Sequence, residues 1–98
     1  MANVTTVASD VARDFGYCLA YLEQRLEELE DVAWPWSELP SEDRNDFLFE
    51  WPIVEDRLSA LHALAQHAGV PAQYRAGYRK LMARVERDRP ILERLQAS

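Results

Sequence analysis

Apolar residues recur along this chain at alternating steps of four and three. The first run is Phe15, Leu19, Leu22, Leu26, Leu29 and Ala33, the spacing of a helix that lays one stripe against a bundle core. Val7 and Val11 extend it toward the start. The pattern predicts a helix over residues 7–33, with Thr6 or Ser9 as N-cap and Asp10 near the positive end of the helix dipole. Trp34 precedes Pro35, and a residue before proline is pushed out of the α region, so the helix stops there.

A second run holds Phe47, Trp51, Val54, Leu58, Leu61, Ala65 and Ala68, and predicts a helix over residues 41–68. Ser41 suits the N-cap, and Glu42 and Asp43 suit the first turn. Pro52 interrupts the run: inside a helix it forfeits the bond to the Leu48 carbonyl, at about 3 kcal/mol. The stripe keeps its phase across it, so a kinked continuous helix and two abutting helices both fit. Gly69 reads as the residue that closes the helix, and Pro71 as the opening of the next.

The third run is Tyr74, Tyr78, Leu81, Val85, Leu92 and Leu95, over residues 71–96. Asp88 stands where an apolar residue is due, and Pro90 follows. A kink or break is expected there, with Asp88 meeting freed backbone groups. At 1.5 Å rise per residue the three segments are each about 40 Å long. Matched lengths and short connections predict an all-α fold, an antiparallel up-down bundle of three long helices forming a single domain over residues 1–98. No run alternates with period two. A second copy of the chain is one way to cover the open edge of three helices.

Composition narrows the picture. The chain has 98 residues, 48% of them apolar, enough for one modest core. No apolar run approaches the roughly 18–20 residues of a membrane span, and no basic, apolar leader is visible. Cys18 is the single cysteine, which excludes an internal disulfide and suits a packing residue beside the first stripe. A cytoplasmic protein is expected. Arginine far outnumbers lysine and alanine is common, the habit of a GC-rich, bacterial genome.

Net charge is −6 and unevenly spread: residues 23–56 carry twelve acids and two bases, residues 57–98 eight bases and three acids. In an up-down-up bundle the two blocks meet, so Arg84, Arg87, Arg89 and Arg94 can neutralise the acids of the first two helices. Glu27, Glu28, Glu30 and Asp31 crowd a helix C-terminus, where negative charge is unfavourable. The compensating charge comes either from those arginines or from a basic protein partner. Overall acidity argues against nucleic acid and against an anionic membrane. Trp34 and Trp36 lie in the first connection, near Glu38, and Trp51 lies on the seam. One tryptophan of the connection can fold over the bundle end; an exposed one would be an anchor for a partner.

Chemistry-bearing residues are few. His62 and His67 are five apart and form no metal motif. No Gly-rich phosphate loop and no nucleophile–base constellation is present, so no cofactor and no metal are expected. Gly16 and Gly77 each sit inside a helix, at about 1 kcal/mol relative to alanine. They neighbour the pairs Tyr17/Tyr21 and Tyr74/Tyr78, which fit either close helix packing or a small ligand pocket. The segment Arg57-Leu-Ser-Ala-Leu-His62 resembles the RNA-cleaving motif of HEPN domains. That resemblance implies a ribonuclease in which Arg57 steadies phosphate charge and His62 transfers a proton.

The reading these features favour is a non-catalytic, acidic helical interaction or regulatory module of the adaptor, antitoxin, immunity or inhibitor type. It binds a protein partner, self-associates, or both, through Trp34, Trp36, Glu27, Glu28, Glu30, Asp31 and Glu38. The alternative is a small-molecule-binding bundle that uses Tyr17, Tyr21, Tyr74 and Tyr78.

Overall fold

The computed structural model describes the backbone of residues 4–97 and the side chains of residues 10–97. Helix α1 spans Val4–Ala33, a 3-10 turn follows at Trp36–Glu38, α2 spans Ser41–Leu64 and α3 spans Ala72–Ala97. The described residues form no strand, as three period-3.6 stripes without alternation require. They make a rod whose Cα atoms extend 54 × 24 × 17 Å.

The three stripes supply the core. Phe15, Leu19, Leu22, Leu26 and Leu29 are all buried from α1, with Trp51, Val54 and Leu61 from α2, and Leu81 and Leu95 from α3. Phe15, Leu29, Leu61 and Leu95 are the largest fully enclosed side chains. Burying a leucine or phenylalanine contributes about 1.5–3 kcal/mol, so these positions dominate stability.

Helix ends depart from the expected ones. α1 begins by Val4, so Thr6 and Ser9 lie inside the helix backbone and neither is its N-cap; their side chains, and that of Val7, lie outside the described residues. At α2 the cap position is Pro40, whose carbonyl accepts the Arg44 N–H at 3.1 Å, and Ser41 is already helical. The extended backbone of Pro40 turns its carbonyl into the first turn, so no side-chain cap is used.

α2 also stops short, at Leu64. The chain tightens into three-residue turns, Gln66 N–H to Ala63 O and His67 N–H to Leu64 O. Gly69 therefore closes no helix through a left-handed conformation, and Ala68 is exposed rather than on the seam. The gain is Val70, which this turn carries into the core at 5% exposure. Arg75 holds the turn by donating to the carbonyls of Val70 and His67 at 3.2 and 3.0 Å.

Neither proline breaks its helix: α2 runs through Pro52 and α3 through Pro90. Both rings are exposed, on the face where water can take the carbonyl that each leaves unbonded. Asp88 meets no freed backbone group. It is buried on the seam, and its Oδ1 accepts from Arg87 Nε at 3.1 Å.

α1 packs against both other helices, whereas the backbones of α2 and α3 barely approach each other. Phe15, in the first half of α1, stacks on Tyr74 and Tyr78, in the first half of α3. Glu30, late in α1, meets Arg84 and Arg87 near the middle of α3. Cys18 of α1 donates its thiol to the Arg57 carbonyl in the second half of α2, at 3.2 Å. A His62–Tyr78 hydrogen bond joins α2 to α3.

Candidate docking face and the buried carboxyl cluster

Trp34 and Trp36 have opposite fates. The 3-10 turn after Pro35, closed by the Glu38 N–H on the Pro35 carbonyl at 2.9 Å, rotates Trp36 inward and leaves Trp34 outside. Trp36 is 7% exposed and Trp34 is 94% exposed. Trp36 lies edge-on to Phe47, which in turn lies on Trp51, with ring centroids 5.8 and 5.6 Å apart. Three aromatics thus seal this end of the bundle, and Trp36 belongs to that buried seal rather than to the exposed surface.

The acids near Trp34 divide similarly. Glu30 accepts both arms of Arg84, at 3.0 and 2.8 Å, and Arg87 at 2.5 Å. Glu28 is held by Arg25 at 2.8 Å. Glu27, Asp31 and Glu38 are exposed. Of the four arginines expected to face this block, Arg84 and Arg87 do so. Arg89 instead pairs with Glu86 of its own helix at 2.5 Å.

Arg84 foremost, then a hydrogen bond with Asp88, and lastly Arg87 push the Glu30 carboxyl down from 4.5 to about 2. Asp88 moves the other way: burial first, then the adjacent Glu30, push its carboxyl up. Two neighbouring carboxyls in different surroundings thus separate, one held ionised by paired guanidiniums and one penalised for charge.

The four tyrosines do not converge. Tyr74 and Tyr78 flank Phe15 between α1 and α3, whereas Tyr17 and Tyr21 border a groove between α1 and α2. Gly16 and Gly77 have a packing reason. A Cβ at Gly16 would sit 3.2 Å from the Tyr74 hydroxyl, and one at Gly77 would sit 2.8 Å from Leu19 Cδ2. Arg57 and His62 also part company: Arg57 borders the α1–α2 groove, while His62 bonds Tyr78 on the α3 side.

That groove is the largest concavity described, about 570 Å³, with Tyr17, Cys18 and Tyr21 on one bank and Ile53, Ala60 and Leu64 on the other. Burial pushes the Cys18 thiol up, so it serves as apolar lining rather than as a nucleophile. Beside the groove stand Tyr17 at 71%, Phe49 at 84% and Ile53 at 52% exposure. Phe49 and Ile53 are one turn apart on α2, on the stripe that also carries Glu42, Asp46 and Asp56, all exposed. On α1, Asp10 and Asp14 flank Tyr17 in the same way.

Sequence reading missed Phe49 and Ile53 because they lie off the core stripe. The signal was available: two large apolar residues four apart on the polar face of a helix. Among the described residues no three histidine, cysteine or acidic side chains gather as a metal site, and no helix is long and apolar enough to cross a membrane. No protein-family model matches the chain, and no curated protein and no solved structure matches it.

Proposed function

We propose that this protein is a non-catalytic interaction module that docks a cationic amphipathic helix of a partner protein on its α1–α2 face. The observation that carries the reading is the set of exposed apolar residues, Tyr17, Phe49 and Ile53, beside a groove while the core is otherwise well buried. Contiguous apolar surface of this kind, rimmed by charge, is typical of protein-binding sites. The rim specifies the occupant. Asp10, Asp14, Asp46 and Asp56 are exposed around these residues and, with Arg13 shared by the first two and Arg57 lining the groove, leave the rim net acidic, so a helix with apolar residues on one side and lysine or arginine beside them meets complementary charge. A second copy of this chain would set acid against acid across the same face. Trp34, at the end of α1, is a further exposed anchor.

The test is fluorescence anisotropy with a labelled leucine–lysine amphipathic peptide and a scrambled peptide of equal charge. Binding of the amphipathic peptide, weakened at least about tenfold by the double change Phe49→Ser/Ile53→Ser with the melting temperature unchanged, is the expected result. Equal binding of both peptides, or by the double variant, would refute it. So would a concentration-dependent dimer that the same variant abolishes, which would give the face to a second copy.

A further inference from the structure

The turn after α2 and the first half of α3 border a separate cleft of about 270 Å³, lined by Ala65, Gln66, Arg75, Tyr78 and Arg79 over Phe15. Its charge is of one sign. Residues 57–85 hold Arg57, Arg75, Arg79, Lys80 and Arg84 and no acid. Arg84 turns to Glu30 and Arg57 borders the α1–α2 groove, which leaves Arg75 and Arg79 to this cleft. On α1, Asp14 likewise borders the α1–α2 groove, and it pairs with Arg13.

Neither arginine of the cleft meets a carboxylate among the described residues. Arg75 is half-buried and spends Nε and Nη2 on the carbonyls of Val70 and His67, at 3.2 and 3.0 Å. Those neutral acceptors fix its guanidinium without cancelling its charge. Arg79 is exposed and makes no hydrogen bond or ion pair among the described residues. The two stand four apart on one helix face, where like charges repel. An anion seated between them relieves that repulsion.

We propose that this cleft binds a small aromatic carboxylate, with its charge on Arg75 and Arg79 and its ring against Tyr78 and Ala65. Arg79 reaches water, so its planar fork is open to a carboxylate. Arg75 is already fixed by the turn and loses little freedom on binding. Size admits a ring, since an apolar cavity of about 150 Å³ takes one benzene. Tyr78 is a firm wall: its hydroxyl bonds His62, and Phe15 lies behind its ring with centroids 6.2 Å apart. Tyr78 and Ala65 are both half-buried, so each keeps surface open to a ligand. An amine is repelled by the two guanidiniums, and a bare inorganic anion leaves the apolar wall uncovered. This site stands or falls independently of the α1–α2 docking face.

Amide NMR titrations with benzoate, benzamide and acetate separate the ring from the charge. Benzoate should shift Ala65, Gln66, Tyr78 and Arg79 with saturation, and benzamide and acetate should each bind at least about fivefold more weakly. Arg79→Gln, at an exposed position, should leave the melting temperature unchanged and weaken benzoate at least about fivefold. Arg79→Lys, which keeps the charge without the fork, should fall between the two. Absence of saturation, acetate or benzamide equal to benzoate, an unchanged benzoate response in Arg79→Gln, or equal shifts around Arg13 and Arg89 would overturn the proposal.

Discussion

The two sides of α1 are built differently. Toward α3 the main groups are matched: Phe15 meets Tyr74 and Tyr78, Gly16 and Gly77 let the helices approach closely, and Glu30 is held by two arginines. Toward α2 the inner seam is closed but the outer rim is not. Tyr17, Phe49 and Ile53 stand in water near a groove, among exposed aspartates of which Asp10 and Asp14 share Arg13. Packing and ion pairing account for the first side, apart from the buried carboxyl of Asp88. They give no reason for the second, where surplus apolar surface lies beside a net acidic rim, a combination that suits a docking face.

The contrast can be broken by substitution. Phe15→Ala, on the closed side, should cost about 3–5 kcal/mol, because it empties a fully enclosed position; chemical denaturation measures it. Glu30→Gln should cost about 1–2 kcal/mol at neutral pH, less than a fully buried pair because Glu30 is partly exposed. It should also change the acid limb. With its carboxyl held near 2, Glu30 contributes stability that is fully present above its ordinary value of 4.5 and lost as pH falls toward 2. The variant should therefore lose less stability than the native protein across that window, as a pH series of melts would show.

Asp88→Leu should change stability by no more than about 1 kcal/mol, since apolar contact in the seam offsets the lost bonds to Arg87 and Glu30. Its pH effect has the opposite sign to that of Glu30. A raised carboxyl favours the fold as pH falls through its elevated value, so the variant loses that acid-side gain. On the open side, Phe49→Ser and Ile53→Ser should each change stability by no more than about 0.5 kcal/mol. A large loss in either would mean that these residues belong to the core after all.

Much of this architecture was legible in the sequence because helix stripes depend on local spacing alone. Phe15, Leu19, Leu22, Leu26, Leu29, Trp51, Val54, Leu61, Leu81 and Leu95 are buried where a four-three rhythm places them, with Leu58, Val85 and Leu92 half-buried against them. The helix boundaries were less legible. Pro40 caps through its carbonyl, and the end of α2 is set by the burial of Val70 and by Arg75, which lies in the next helix. Pro52 and Pro90 read as interruptions because the sequence does not say that both rings face water. The residues of the proposed docking face were legible only in part. Trp34 and Trp36 look equivalent in the chain, and a single 3-10 turn separates their fates. Phe49 and Ile53 were passed over because attention to the core stripe hides apolar residues on the opposite face.

Chemical-shift mapping of the ¹⁵N-labelled protein with the leucine–lysine helix bound tests the asymmetry of α1 most directly. Perturbations should concentrate at Tyr17, Tyr21, Phe49, Ile53 and Ala60 and leave Gly16, Tyr74, Gly77 and Arg84 unmoved. A map centred on the α1–α3 side, or spread evenly over all exposed acids, would contradict a docking face between α1 and α2.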